Sequence, residues 1–259
     1  MITVAFTRPA DKIDDSIGLA ESLGMRAMAA PSLEILKGDD IEYENAEKTL
    51  SSGNVDYAVF GSGTAIEKCV QRFGADKFRK LFTGKVLVAI GPYTAKMLKS
   101  IGGLNHDIMP VFDYSSYGIV KALDGKVEGK NVMLVRSDSG SAVLKEGLLE
   151  EGANVIEFAS YRLRKVGITP ELKNIFEGLK DGSIDVIGFT SPMSAESFLS
   201  LMEGEYGKDE CMKILSKRKV AAIGRPTSVK LTMLGRAPDI VPEKTTFEDM
   251  LIAVRDSEE

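Results

Sequence analysis

The sequence has few of the residues that usually carry catalysis or bind metals. Its 259 residues include one histidine, His106, and two cysteines, Cys69 and Cys211. The cysteines lack the spacing of a metal site or a disulfide framework, so we expect two free, packed thiols. No serine–histidine–aspartate set, HExxH sequence, Walker A loop or GxGxxG motif is present. Any chemistry must therefore avoid metals, nucleotides and histidine, and rely on positioning, hydrogen bonding and a phenol or carboxylate.

Long apolar runs and an excess of positive charge are also missing. No run of about 18 apolar residues occurs, so the sequence predicts no membrane partner. A strand pattern begins at Ile2, and we expect no signal peptide. The formal net charge is −5, which argues against non-specific binding to nucleic acid. Together these features predict a cytoplasmic protein.

The chain does contain the pattern of an α/β protein. Hydrophobic residues make up 44% and charged residues 27%, as in an ordinary globular protein of one large or two smaller domains. Short runs rich in Val, Ile and Phe alternate with amphipathic stretches, which predicts βαβ units and parallel sheets. The predicted strands are Ile2–Thr7, Arg26–Pro31, Tyr57–Phe60, Val86–Ile90, Asp107–Met109, Val132–Arg136, Val155–Ser160, Val186–Phe189, Val220–Ile223 and Asp239–Val241. The predicted helices include Asp14–Leu23, Ser141–Glu150, Pro170–Leu179 and Pro226–Leu234.

Three segments recur later in the chain in the same order, at offsets of 128 to 133 positions. The matched pairs are Val4–Arg8 with Val132–Arg136, Val55–Ser62 with Ile184–Ser191, and Lys85–Thr94 with Lys219–Thr227. This pattern indicates an internal duplication, hence two similar α/β lobes with a cleft in which a small ligand would bind. The extended stretches Leu33–Leu36 and Leu163–Val166 are the expected connections. From the residues alone, either each repeat gives its first βαβ to the opposite lobe or the lobes are tandem.

Hydroxyl-bearing loops follow the strands, at the edge where open parallel sheets bind ligands. Each leads into a helix N-terminus, which favours anions. They span positions 7–9, 62–64, 91–94, 136–141, 190–194 and 224–228. In any one loop these Ser and Thr residues could serve only as N-caps. Six such loops favour binding of a polyanion.

Three other side chains are candidates for the site. Tyr161 follows Val155–Ser160, where the chain would leave for the other lobe. Its phenol could donate to a leaving group, or the ring could simply pack at a seam between lobes. Arg8 and Arg136 hold equivalent positions in the two repeats. Their forked donors suit carboxylates, although either could form a surface salt bridge.

Taken together, several short motifs resemble the uroporphyrinogen-III synthase family over essentially the whole chain. They are Val4-Ala5-Phe6-Thr7-Arg8-Pro9, Phe60-Gly61-Ser62, Phe189-Thr190-Ser191-Pro192, the Ala-Ile-Gly turns at 89–91 and 222–224, and Val241-Pro242 followed by Thr245-Thr246-Phe247. The resemblance implies two flavodoxin-like parallel-sheet lobes joined by a two-stranded extended connector. It places roughly 1–35 and 170–259 in one lobe and 36–169 in the other.

The resemblance also implies an activity. A monomeric, cofactor-independent lyase of tetrapyrrole (heme) biosynthesis would close hydroxymethylbilane into uroporphyrinogen III in the cleft, with loss of water and inversion of ring D. Tyr161 falls on the family's tyrosine, which is thought to assist departure of the hydroxyl. Thr94, Ser191, Thr227 and Ser62 fall on positions that contact the substrate, which carries eight carboxylates. The chain departs from the family pattern at Ser62-Gly63-Thr64, where Ser-Pro is common, and at Arg225 in a turn that is often Gly-Pro-Thr.

A different class of function also fits a pair of α/β lobes around a hinge. Such a protein would bind or sense a small polyanionic ligand without any chemistry. The absence of an export signal or DNA-binding module, together with Tyr161, favours the enzyme. An isomerase of phosphosugars is a further alternative, but no base for it is visible in the sequence.

Overall fold

The computed structural model describes residues 1–257, and within them the chain forms nine β-strands and twelve α-helices. The strands are β1 (Thr3–Thr7), β2 (Arg26–Ala30), β3 (Leu33–Lys37), β4 (Tyr57–Phe60), β5 (Val86–Ala89), β6 (Asn131–Ser137), β7 (Asn154–Lys165), β8 (Val186–Phe189) and β9 (Lys219–Ala222). The helices are α1 (Ile13–Ser22), α2 (Asp40–Ser51), α3 (Gly63–Phe73), α4 (Ala75–Phe82), α5 (Pro92–Ser100), α6 (Ser116–Leu123), α7 (Ala142–Glu150), α8 (Pro170–Asp181), α9 (Pro192–Tyr206), α10 (Lys208–Leu215), α11 (Arg225–Met233) and α12 (Phe247–Asp256). No helix in this range is both long and apolar enough to cross a membrane.

The strands form two sheets. One sheet has the order β2-β1-β8-β9, and the other has the order β3-β7-β6-β4-β5. β1 pairs in parallel with β2 and β8, and β8 with β9. In the second sheet β4 pairs in parallel with β5 and β6, and β6 with β7. The predicted α/β class with parallel sheets is therefore confirmed.

The chain divides into two compact units. The first contains Met1–Glu34 and the chain from Arg164 onward, and the second contains Ile35–Leu163. The sequence analysis assigned 1–35 and 170–259 to one lobe and 36–169 to the other. This assignment stays a prediction.

Each sheet buries both of its faces. In β1, Val4 and Phe6 pack into one hydrophobic cluster, and Ala5 packs into another on the opposite face. In β6, Met133 and Val135 face one cluster of the second unit, while Val132 and Leu134 face the other. Burial on both sides explains why these strands appear in the sequence as short, nearly continuous apolar runs.

Two predicted strands, Asp107–Met109 and Asp239–Val241, are wrong. Each is reduced to an isolated bridge, Val88 with Ile108 and Ala221 with Ile240. In both segments an aspartate side chain takes over part of the pairing. Asp107 Oδ2 accepts the Leu87 N–H at 2.7 Å, and Asp239 Oδ2 accepts the Val220 N–H at 2.7 Å. A proline two residues after each bridging isoleucine then removes a backbone donor and prevents a longer ladder.

The strand predicted as Val155–Ser160 continues much further than expected. β7 has twelve residues, from Asn154 to Lys165, and it includes most of the stretch predicted as a separate connection. Tyr161 therefore lies inside a strand and not after its end. The predicted helices are observed, with α1, α7, α8 and α11 each starting within one residue of the prediction.

Candidate active site

An irregularity in β7 directs the side chain of Tyr161. Arg136 is paired with Ala159, but the next residue of β6, Ser137, is paired with Tyr161, which leaves Ser160 as an extra residue. Such a β-bulge shifts the alternation of side chains by one position. Before the bulge Phe158 packs into the core of the second unit, and after it Tyr161 packs into that same cluster. The bulge thus places the Tyr161 ring on the face that it would otherwise turn away from.

The phenol of Tyr161 lies beside the hydroxyl of Ser62. Their oxygen atoms are 3.1 Å apart, and either can donate the hydrogen bond. Tyr161 is only 8% exposed. Burial raises the pKa of the phenol. Hydrogen bonds with the hydroxyls of Ser62 and Ser137 partly offset this increase, and the charge of Asp138 adds to it. Tyr161 therefore stays protonated at neutral pH, so it can donate a hydrogen bond but is poorly suited to act as a base.

Ser62 holds its position because it begins a helix. It is the N-cap of α3, and its side chain accepts the Ala65 N–H at 3.1 Å. The next residue, Gly63, packs against the ring of Tyr93, and a Cβ there would lie 2.6 Å from Tyr93 Cε1. This contact gives a local reason for a glycine directly after Ser62. A larger residue would have to displace Tyr93.

The other predicted hydroxyl positions also lie at helix starts. Ser191 is the N-cap of α9 and accepts the Ser194 N–H at 3.0 Å in a capping box. Thr94 and Thr227 are the third residues of α5 and α11, and both are buried, at 4% and 1% exposure. Backbone N–H groups of a first helical turn can bind an anion. Arg225, at the start of α11, is exposed.

Arg136 is closely engaged by its own neighbours. One guanidinium nitrogen donates to the Ser141 carbonyl at 2.6 Å, and the other lies 2.5 Å from Glu157, which Lys145 also contacts at 2.7 Å. Hydrogen bonds from Lys145 and Arg136 lower the pKa of Glu157, against the effect of burial. These contacts tie the loop after β6 to β7. Substrate binding by Arg136 stays a prediction.

Arg8, which the sequence comparison predicts to correspond to Arg136, has different surroundings. Arg8 Nε donates to Ser16 Oγ at 3.1 Å, and the guanidinium lies over the Phe247 ring at 4.5 Å. A guanidinium stacked on an aromatic ring keeps its charge and gains cation–π stabilisation. The two arginines thus have different local partners.

The structure divides the predicted site residues between the two units. Ser62, Thr94, Arg136 and Tyr161 belong to the second unit, and Arg8, Ser191 and Thr227 belong to the first. Among the second set, Ser62 and Tyr161 are in direct contact. The two cysteines are free and buried, as expected.

The sequence did not single out three residues whose contacts hold β7 or its neighbour β6. Tyr43 donates to the Ser160 carbonyl, Asp138 contacts the backbone on both sides of Arg162, and Glu157 pairs with Arg136. One signal was available. In β7, Ile156 and Phe158 are two positions apart, as in a regular strand, but Phe158 and Tyr161 are three positions apart. Such a slip in a period of two is typical of a bulge.

The fold defines an α/β protein with parallel sheets, a class in which ligands bind at the carboxyl ends of the strands. The family model described as uroporphyrinogen-III synthase HemD matches residues 14–252, and the chain belongs to the uroporphyrinogen-III synthase family. The resemblance drawn from the sequence is thereby confirmed.

Individual relatives agree with this assignment. The chain is 34% identical to a putative uroporphyrinogen-III synthase of Methanothermobacter thermautotrophicus, over 97% of this chain and 96% of that protein. It is 25% identical to the uroporphyrinogen-III synthase of Synechococcus elongatus, over 97% and 94% of the two chains. A solved mutant uroporphyrinogen III synthase from the extremely thermophilic bacterium Thermus thermophilus shares the fold, with a TM-score of 0.71 and 22% identity over the whole of both chains.

Proposed function

We propose that this chain is a uroporphyrinogen-III synthase, a lyase that closes hydroxymethylbilane into uroporphyrinogen III with loss of water and inversion of ring D. The observation that carries the proposal is the family match over residues 14–252. Proteins that bear this name align with the chain over nearly their full lengths. Such an enzyme would serve tetrapyrrole biosynthesis, and we propose that it acts as a cytoplasmic monomer without a cofactor.

We assign to Tyr161 the role of hydrogen-bond donor to the departing hydroxyl. The C–O bond breaks, the hydroxyl takes a proton and leaves as water, and the electron-rich pyrrole stabilises the resulting azafulvene cation. Inversion of ring D requires one C–C bond to break and two to form. The α-carbon of ring D that carries the methylene link to ring C attacks the azafulvene, and that link then breaks, with its electron pair returning to ring D and a second azafulvene cation left on ring C. The unsubstituted α-carbon of ring D attacks this second cation, and loss of a proton restores the neutral product. A buried phenol that stays protonated can donate this hydrogen bond, whereas its raised pKa disfavours full transfer of the phenolic proton.

The remaining work is binding and orientation of the substrate. Holding the inverted ring next to the reactive carbon replaces a random encounter with a restricted geometry. The substrate's carboxylates would contact Arg8, Ser191 and Thr227 in the first unit, and Ser62, Thr94 and Arg136 in the second. The net charge of −5 disfavours long-range attraction, so these contacts must act locally.

We also propose that the chain arose by internal duplication and that its lobes are flavodoxin-like, comprising 1–35 with 170–259, and 36–169. The strand orders support this proposal. β2-β1-β8-β9 in one sheet corresponds to β7-β6-β4-β5 in the other when each strand is replaced by its repeat partner. Each sheet therefore combines the first two strands of one repeat with later strands of the other. β3 and the end of β7 would form the two-stranded connector.

Product analysis tests the proposed function directly. Purified protein is supplied with hydroxymethylbilane, and the uroporphyrinogen isomers are separated after oxidation. We expect the type III isomer to form faster than the type I isomer that arises spontaneously. Only type I product, at the rate without protein, would contradict the proposal. Tight binding of the substrate without acceleration would instead support the binding-protein alternative, which the family assignment does not favour.

A further inference from the structure

The bulge that directs Tyr161 is held by a second tyrosine. Tyr43, on α2, donates its hydroxyl to the carbonyl of Ser160 at 2.7 Å. The Tyr43 side chain is itself fixed, because it is 4% exposed and packs edge-to-face on Phe158, with ring centroids 5.0 Å apart. Burial raises the pKa of Tyr43, so its hydroxyl stays protonated and remains a donor. The extra residue of the bulge thus receives a hydrogen bond from a buried group that is packed against the core.

Further contacts hold the backbone on both sides of Tyr161. Before it, Ser160 Oγ donates to the Arg136 carbonyl at 3.3 Å. At Tyr161 itself, the carbonyl accepts the Asp138 N–H at 3.1 Å, and two residues later the Leu163 N–H donates to Asp138 Oδ1 at 3.1 Å. Asp138 therefore brackets the short segment from Tyr161 to Leu163.

We infer that Tyr43 is a positioning residue for Tyr161, acting through the Ser160 carbonyl to keep the bulge in β7. The inference rests on the proposed function. Without the Tyr43 hydroxyl the buried Ser160 carbonyl loses this hydrogen bond, and the bulge loses stability relative to a regular register. A register without the bulge would turn Tyr161 to the opposite face of the strand. Tyr43 would then affect the rate without touching the substrate.

The test compares tyrosine-to-phenylalanine variants that each remove one hydroxyl. For Tyr43→Phe we expect kcat for type III formation to fall by about tenfold or more, with KM within about twofold of wild type, because a misplaced group loses orientation and not binding. Tyr57→Phe is the matched control. Tyr57 also donates to a backbone carbonyl in the second unit, that of Lys126 at 3.2 Å, but not to β7. This variant should keep the wild-type kcat.

The double variant separates positioning from general damage. If Tyr43 acts through Tyr161, Tyr43→Phe should cost little further rate in a Tyr161→Phe background. If the losses of kcat caused by Tyr43→Phe and Tyr161→Phe are fully additive in the double variant, the inference is overturned. A wild-type rate for Tyr43→Phe, when Tyr161→Phe is slow, would also overturn it. If wild-type protein forms only type I product, the proposed function fails first and independently.

A second variant covers the case in which Tyr43→Phe does not fold. Asp138 is exposed, and Asp138→Ala removes the acceptor for the Leu163 N–H without disturbing the core. Because Asp138→Ala weakens the support on the other side of the bulge, it should lower kcat, as Tyr43→Phe does. It should have little further effect in the Tyr161→Phe background. A wild-type kcat for Asp138→Ala would contradict control of Tyr161 by its backbone supports.

Discussion

The hydroxyl of Ser62 and the phenol of Tyr161 lie 3.1 Å apart, although 99 positions separate them in the chain. Ser62 also accepts the Ala65 N–H at the start of α3. One side chain therefore links a helix N-terminus, which favours anions, to a buried phenol that can donate a hydrogen bond. If both groups take part in one reaction, substitution of either residue should lower the rate of that reaction. Substitution of Ser62 should also lower the stability of the fold, because Ser62 caps α3.

Tyr161→Phe removes one oxygen and keeps the ring in the core. We expect the rate of type III formation to fall by about 10²-fold or more, the usual range for loss of a positioned proton donor. Folding should be retained, with a stability change of roughly 1 kcal/mol, because the packing is preserved. Isomer-resolved rates and thermal melts measure the two effects. An unchanged rate would remove Tyr161 from the mechanism, and complete loss would assign it more than assistance to the leaving group.

Ser62→Ala should lower both stability and rate. Loss of the cap of α3 costs about 1 kcal/mol, and the rate should fall further because Tyr161 loses its partner. Ser115→Ala is a matched control, since Ser115 caps α6 in the same unit through the Gly118 N–H. Denaturant unfolding should show similar losses for the two variants, and only Ser62→Ala should slow type III formation. Equal rates of type III formation in the Ser62→Ala and Ser115→Ala variants would show that Ser62 acts only as the N-cap of α3.

Much of the fold was predictable because its signals are local. Buried parallel strands are apolar on both faces, and glycines such as Gly152, with a φ of 78° just after α7, mark the ends of helices. These signals located most of the strands to within a residue or two. They failed at Asp107 and Asp239, where a carboxylate replaces part of the backbone ladder, because composition does not show which acceptor an N–H will find.

The local geometry around the candidate site was only partly predictable from the sequence. Tyr161 and the hydroxyl positions were singled out as candidates, and their role in binding stays a prediction; the reason for the direction of Tyr161 was not found. A single extra residue, Ser160, reverses the face that the ring takes. The group that stabilises it, Tyr43, lies 117 positions away, and no local pattern links the two. Contacts of that separation depend on how helices pack on sheets, which periodicity does not specify.

The Glu157 carboxylate should give the protein a measurable acid sensitivity. Its pKa is lowered in the folded state, first by Lys145 and then by Arg136, so the folded protein favours the ionised form. A group with a depressed folded pKa contributes stability above its unfolded pKa, ordinarily about 4.3, and loses it as pH falls through the folded value. We therefore expect the free energy of unfolding to decrease as the pH drops below the pKa of an ordinary glutamate side chain.

Denaturant unfolding at a series of pH values from neutral to acidic measures this contribution. Glu157→Gln should flatten the decline, because the amide does not titrate. Lys145→Met should give an intermediate slope, since it removes the largest cause of the shift and leaves Arg136 in contact. Parallel curves for wild type and Glu157→Gln would show that the ion pairs around this carboxylate do not contribute to the acid response.

The buried threonines at the third positions of α5 and α11 should act in binding. Thr94→Val and Thr227→Val keep the shape of the side chain and remove a hydroxyl. We expect each to raise KM for hydroxymethylbilane by about tenfold, the cost of one hydrogen bond to a charged group, with kcat less affected. Thr232→Val, at an exposed position on the same helix as Thr227, is the control and should leave KM unchanged. A KM that rises for only one of the two buried threonines would show that the two units bind the substrate unequally, and no rise in either would remove both from the binding site.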